Sequence, residues 1–152
     1  MLELNDAQGN DLGDVNVNRS YHQGIEASLD IELLRAVSSR KIKKGLEGWL
    51  RLSQTYTLND FHFDGDPVFG NNRIAGIPVH IYEAELLYET AIGFYAGPNL
   101  RCSFTHYPVD EANTLFADSY TLLGFKIGYR SKKGPSGFLE AKNLTTSGSP
   151  LR

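Results

Sequence analysis

The chain is poor in cysteine, with Cys102 alone among 152 residues. A single cysteine excludes an intramolecular disulfide framework and the paired cysteines of CxxC metal-binding or redox motifs. The sequence also lacks any run of about 18 apolar residues, the length that a transmembrane helix requires. No apolar stretch typical of a secretory signal follows Met1, so we expect no signal peptide in this chain.

Neither sign of charge dominates the composition. The formal net charge is −3, from 15 basic and 18 acidic residues. This balance gives no reason to expect a nucleic acid partner, because nucleic-acid-binding domains carry a basic patch. Hydrophobic residues at 41% and charged residues at 22% are typical of a folded protein and not of a disordered one.

What the sequence has in abundance is strict alternation of apolar and polar residues. In GIEASLDIELL, residues 24–34, Ile25 and Leu29 fall on one face, and Glu26 and Asp30 fall on the other. A period of two predicts a β-strand, because successive side chains of an extended chain point to opposite sides. The pattern recurs throughout, without a convincing helical period. The predicted strands are residues 15–37, 46–63, 80–90, 94–107, 118–130 and 137–144.

Strand length and loop length distinguish soluble β domains from outer-membrane β-barrels. Strands in soluble domains average about five or six residues, and several of the predicted strands are far longer. The connections alternate between short turns, residues 38–45 and 131–137 among them, and long loops at 64–78 and 108–117. Outer-membrane barrels pair short periplasmic turns with longer extracellular loops in this way.

Aromatic residues gather near the ends of the predicted strands, as the interfacial girdles of a membrane barrel require. They are Tyr56, Phe61, Phe63, Tyr88, Phe94, Phe104, Tyr107, Tyr120 and Tyr129. We therefore predict an all-β fold, an antiparallel up-and-down meander, and the pattern favours a partial transmembrane β-barrel of about six or seven strands. The alternative is a soluble β-sandwich or lipocalin-like barrel, in which the aromatic residues form the core.

The stretch NDFHFDGD, residues 59–66, supplies candidate ligand-binding residues at a strand rim and in the loop that follows it. The candidates are Asp60, His62, Asp64, Asp66 and Arg73. An EF-hand does not fit, because Asn71 stands where the calcium loop requires a glutamate. The histidines show neither HxxxH nor HExxH spacing, so we predict no metal site.

A second group of polar residues is predicted to line the lumen of the barrel. It consists of Glu26, Asp30, Glu83, Glu85 and Arg101. Paired carboxylates such as Glu83 and Glu85 can act as general acid and base. Arginines on other strands favour cross-strand charge pairs instead. We therefore expect neither catalysis nor a cofactor.

Five segments in order resemble the C-terminal barrel of TonB-dependent outer-membrane receptors. They are RSYHQGIEASLD, LRLSQTYTLNDFHFDGDPVFGNNRIAGIPVH, AELLYETAIGFYAGPN, ADSYTLLGFKIGY and FLEAKNLT. The resemblance covers residues 15–145, nearly the whole chain. It includes a GIE-type strand, a strand similar to YTYNDF, an N-R-x-x-G-I-P loop and an E-x-K/R-N-L-T strand.

This resemblance implies a barrel of 22 strands closed by a plug domain, in the outer membrane of a Gram-negative cell. Such a receptor imports a scarce small-molecule ligand, for example a ferric siderophore, and the TonB energy-coupling complex drives the import. We expect residues 1–152 to be a C-terminal segment of that barrel that carries no plug, no signal peptide and no final strand. Its partners would be outer-membrane lipid, the plug, the TonB complex and the ligand.

Two rival interpretations remain at this point. In a small soluble β-barrel that binds a lipid or a sugar in its interior, the apolar faces would form a protein core. In a soluble hydrolase, the acidic row would act on substrate. The interpretations differ in what the apolar face of each strand contacts, which is either lipid or protein.

Overall fold

The computed structural model describes residues 2–5, 11–15, 19–34 and 47–144, with the first two ranges described only as backbone. Ten strands make up the regular structure of these ranges. They are β1 (Leu2–Asn5), β2 (Asp11–Val15), β3 (Ser20–Leu34), β4 (Gly48–Phe63), β5 (His80–Thr90), β6 (Phe94–Ser103), β7 (Tyr107–Pro108), β8 (Phe116–Ala117), β9 (Tyr120–Tyr129) and β10 (Gly137–Ala141). In these ranges, no helix is long and apolar enough to cross a membrane.

Six of the strands form one antiparallel sheet in the order β10-β9-β6-β5-β4-β3. Neighbours in the sheet follow one another along the chain, apart from the small β7–β8 hairpin inserted between β6 and β9. The strands β1 and β2 pair separately. The predicted all-β antiparallel meander is therefore confirmed.

Cross-strand register places most apolar residues of the six strands on one face of the sheet, although Leu87, Leu122 and Phe138 lie on the other. Ile25 lies opposite Leu58 on β4, and Ile31 lies opposite Leu52. Farther along the sheet, Leu100 of β6 lies opposite Leu123 of β9. Because side chains alternate between faces, these pairs extend into a continuous surface, which we call the apolar band.

Most of the apolar band has no protein cover within the described ranges. Ile25 is 64% exposed, Leu29 56% and Leu139 77%. Among the described strands, each strand of the sheet contacts only its sheet neighbours. A soluble monomer rarely exposes so large a contiguous apolar surface. The arrangement matches the wall of a membrane barrel, whose outward face meets lipid.

Aromatic pairs flank the apolar band at both ends. At the end near the short turns, the rings of Phe94 and Tyr129 lie 4.8 Å apart between centroids. At the end near the long loops, the ring of Tyr82 stacks with that of Phe104 at 6.2 Å. This distribution is typical of interfacial girdles, which anchor a barrel at the two membrane surfaces.

The prediction of girdle positions was wrong for three aromatic residues. Phe61, Phe63 and Tyr120 lie on the opposite face of the sheet, because they alternate with residues of the apolar band. Phe63 is buried and stacks on Phe69 of the following loop. Proximity to a strand end does not determine which face of the strand an aromatic occupies.

Several strand boundaries differ from the sequence prediction. The strand predicted at 94–107 ends at Ser103, and the predicted loop 108–117 contains most of the β7–β8 hairpin. The strand predicted at 137–144 ends at Ala141. The strand predicted at 15–37 is Ser20–Leu34 in the described part, and the predicted turn 38–45 lies outside the described residues.

Candidate functional site

The face opposite the apolar band is lined mainly with charged and hydroxyl side chains, and we call it the polar face. Between β3 and β4, the hydroxyls of Ser28 and Thr55 lie 3.1 Å apart, and the Ser53 hydroxyl donates to Asp30. The five predicted lumen residues all occupy this face by register. They are Glu26, Asp30, Glu83, Glu85 and Arg101.

Ion pairs link the strands in the middle of the polar face. Arg101 donates to Glu83 at 2.7 Å from β6 to β5. Lys126 of β9 crosses β6 to pair with Glu85 of β5. Its neighbour on β6 is Gly97, which has no side chain to obstruct this crossing. Opposite charges on adjacent strands stabilise the sheet and leave less unbalanced charge on the face.

Glycines leave room for side chains to lie flat along the polar face. Asn99 donates to Glu140 at 3.0 Å, and it passes over Gly124, where a Cβ would overlap its amide oxygen. Tyr95 covers Gly128 in the same way, since a Cβ there would lie 2.5 Å from its hydroxyl. The result is an open cleft of about 380 Å³ that extends from β4 to β10 and is lined by both polar and apolar side chains.

A buried carboxylate anchors the polar face near the short turns. Glu89 accepts a hydrogen bond from Arg130 at 2.8 Å, and Arg51 lies 3.8 Å from the same carboxylate. The guanidinium of Arg130 also lies 5.3 Å from the centre of the Tyr95 ring, in cation–π geometry. These contacts form a cluster at one end of the wall that joins β4, β5, β6 and the end of β9.

Three of the five candidate ligand-binding residues come together, although not on the polar face. Asp60 lies 3.5 Å from His62 and 3.7 Å from Arg73, and it accepts a hydrogen bond from Gln23 at 3.0 Å. Register places Asp60 and His62 on the same face as Leu58, just beyond the apolar band. This group therefore lies at the outward side of the rim.

The remaining two candidates have separate surroundings. Asp64 pairs with Arg19 at 3.2 Å near the start of β3. Asp66 is buried, and one of its oxygens accepts hydrogen bonds from the backbone N–H groups of Val68 and Phe69. An Asx turn of this kind shapes the loop. Among the described residues, no group of three or more His, Cys, Asp or Glu side chains is placed to hold a metal ion.

Sequence reasoning missed the contact between the two long loops, 64–79 and 104–119. Asn113 accepts from the backbone N–H of Arg73 at 2.9 Å and donates to the carbonyl oxygen of Arg73 at 2.8 Å. Glu111 accepts from the N–H of Ala75 at 3.2 Å. Asn113 has a φ of 56°, a left-handed conformation that asparagine tolerates better than most residues. The sequence carries only the turn-forming composition of DEANT as a signal.

Asp110 organises the second loop from within. Its carboxylate accepts hydrogen bonds from the N–H of Leu115 at 2.7 Å and from the hydroxyl of Thr114 at 2.7 Å. These bonds, that from the Leu115 backbone first, hold the pKa of Asp110 below its usual range, because they favour the ionised carboxylate.

Comparison with known proteins agrees with this geometry. The family model for the β-barrel of TonB dependent receptor-like proteins matches residues 3–147. The chain belongs to this family. TonB-dependent receptors are transporters of the outer membrane and not enzymes, which agrees with the uncovered apolar band and the polar face behind it. Searches of curated proteins and of solved structures found no significant match.

Proposed function

We propose that residues 1–152 form a C-terminal part of the barrel wall, with two extracellular loops, of a TonB-dependent receptor that imports a scarce ligand such as a ferric siderophore. The rest of the receptor would supply the plug and the segment that engages the TonB complex. The observation that carries this proposal is the apolar band. It crosses six strands largely without protein cover in the described ranges, and it has aromatic pairs at both ends.

The two long loops support the proposed orientation. Loops 64–79 and 104–119 leave the sheet at one end, and the short turns 91–93 and 130–136 leave it at the other. Because outer-membrane barrels place their longer loops outside the cell, we assign the two long loops to the extracellular side.

The proposal assigns ligand contact to charged groups at the mouth and along the wall. At the mouth, Asp60, His62 and Arg73 form one group on the outward side of the rim, and Asp64 pairs separately with Arg19. Asp66 supports the loop from a buried position instead. Along the wall, the lining residues are Glu26, Asp30, Glu83, Glu85 and Arg101. The ion pairs of Glu83 with Arg101 and of Glu85 with Lys126 suit a polar ligand that exchanges hydrogen bonds as it passes.

Epitope tags test the orientation in intact cells. One tag is inserted after Gly70 and another after Lys133, each in the receptor that contains this chain. We expect antibody to bind whole cells that carry the first tag and to bind the second tag only after the outer membrane is opened. Heat-modifiable migration on gels shows that each variant has folded. Whole-cell binding at the second site and not the first would contradict the proposal.

A further inference from the structure

The contact between the two long loops includes a pair of hydrogen bonds like those between neighbouring β-strands. In this pair, a single side chain takes the place of one strand. The amide of Asn113 donates to the carbonyl oxygen of Arg73 and accepts from its N–H, at 2.8 and 2.9 Å. A carboxamide reproduces both hydrogen-bonding groups of a peptide unit, which a carboxylate or a hydroxyl of similar size does not do in the same geometry. Asn113 therefore occupies the place that a neighbouring strand would take beside Arg73.

Further hydrogen bonds reinforce this contact on both sides. The Asn72 amide donates to the carbonyl oxygen of Glu111 at 2.9 Å, and the carboxylate of Glu111 accepts from the N–H of Ala75. The N–H of Gly76 donates to the carbonyl oxygen of Pro108 at 2.8 Å. Segment 72–76 is thus held along its length by the second loop.

The other edge of segment 72–76 is attached to the barrel wall. The N–H of Phe63 donates to the carbonyl oxygen of Asn72 at 2.9 Å, and the N–H of Ile74 donates to that of Phe61 at 3.1 Å. Arg73 thereby forms an isolated bridge with His62. Hydrogen bonding runs without interruption from β4 through segment 72–76 to the second loop.

We propose that Asn113 is the positioning residue that joins loops 64–79 and 104–119 into one rigid unit at the mouth of the receptor. Ligand contact with either loop then moves both, and neither loop closes over the ligand alone. This inference rests on the proposed function, which places both loops on the extracellular side. Glu111 supports the joint, and Asp110 shapes the turn that presents Asn113.

Pulsed electron–electron resonance between spin labels on the two loops tests the joint. The labels replace Val68 and Leu115, which are 65% and 51% exposed, in a receptor whose Cys102 is changed to Ala. The test variant is Asn113→Gly, because glycine accepts the positive φ of this position and removes the amide. The matched control is Asn71→Gly, since the Asn71 side chain accepts a hydrogen bond from the N–H of Gly65 in its own loop and makes no hydrogen bond to the second loop among the described residues.

We expect one narrow distance distribution in the parent and in Asn71→Gly, and a distribution about twofold wider in Asn113→Gly. Asn113→Asp retains the acceptor for the Arg73 N–H and loses the donor, so its width should lie between those of the parent and the glycine variant. An unchanged width in Asn113→Gly would overturn the inference. Failure of the proposed function would give a different result from failure of this inference. If the loops were not extracellular, the labelled residues would be inaccessible from outside intact cells.

Discussion

Glu89 accepts a hydrogen bond from Arg130 at 2.8 Å, with its side chain only 7% exposed. The pair joins the end of β5 to the residue that follows β9, and Arg51 contributes a second positive charge from β4. A second carboxylate, Glu83, pairs with Arg101 in an exposed position on the same face, and its side chain is 47% exposed. Each pair joins a glutamate to an arginine, but the Glu89 carboxylate is shielded from solvent and the Glu83 carboxylate is exposed.

Glu89→Gln should therefore destabilise the folded barrel more than Glu83→Gln does. Loss of a hydrogen-bonded charge in a buried position costs about 1.5–3 kcal/mol, whereas an exposed ion pair contributes about 0–1 kcal/mol. Urea unfolding of the receptor in bilayers measures both changes in free energy of unfolding. Equal losses for the two variants would show that the burial of Glu89 has no energetic consequence.

Gly97→Ala should also destabilise the sheet, because a Cβ at this position would overlap the carbonyl oxygen of Leu86. Forced overpacking of this kind costs about 1–3 kcal/mol. Gly137→Ala is the matched control, since nothing lies within 4 Å of a Cβ built there. The same unfolding measurement applies. A Gly97→Ala variant as stable as Gly137→Ala would contradict the close approach of β6 to β5.

The β7–β8 hairpin should keep its order down to acid pH. The lowered pKa of Asp110 means that its stabilising contribution is complete above the ordinary aspartate pKa of about 3.9. The contribution is lost as pH falls through the lowered pKa. The mobility of a spin label at Ala112, measured by continuous-wave resonance with Cys102 changed to Ala, should rise only below about pH 4.

Asp110→Asn provides the control for this titration. Without an ionisable group at this position, the label should show the same mobility on both sides of that transition. A rise in the parent between about pH 8 and about pH 5 would contradict the assignment to Asp110, because a carboxyl with a lowered pKa does not titrate there.

Leu29→Arg should reduce the yield of folded receptor in bilayers, and Ser28→Arg should leave it near normal. Leu29 belongs to the apolar band, and an arginine facing lipid at the bilayer midplane costs roughly 2–4 kcal/mol. Ser28 occupies the polar face beside Thr55, where an arginine meets water and the carboxylates of Glu26 and Asp30. Folding yield by gel shift measures both, and the reverse ranking would contradict the assignment of faces.

The strands and their order were predictable from the sequence because both depend on local patterns. The alternation that separates Ile25 from Glu26 identifies the face of each residue, and chain connectivity in a meander then gives the strand order. The predicted range of β5, residues 80–90, agrees with the structure in full. Boundaries were less predictable where a pattern continued past the last ladder hydrogen bond, as it did beyond Ser103.

The site was less predictable because it depends on contacts between residues far apart in the chain. The alternation already places Asp60 and His62 on the face of Leu58, but the contacts of Asp60 with Gln23 and Arg73 depend on residues from β3 and the following loop. Asp66 is buried because its carboxylate accepts a hydrogen bond from the turn that it stabilises. In the sequence, such an aspartate cannot be distinguished from one that is exposed and contacts a ligand. The contact of Asn113 with Arg73 joins residues 40 positions apart, which no local pattern encodes.

The most direct test of the central claim, that the apolar band meets lipid, uses spin labels at positions 29 and 28 of the receptor in bilayers. The folding yields of the arginine variants do not decide this, because an apolar protein core would give the same ranking. The decisive measurement is collision of each label with oxygen, which partitions into lipid, and with a polar paramagnetic reagent, which does not. We predict high oxygen and low polar-reagent accessibility at position 29, and greater accessibility to the polar reagent at position 28. Shielding of position 29 from both reagents would show that the apolar band packs on protein, and it would contradict the account.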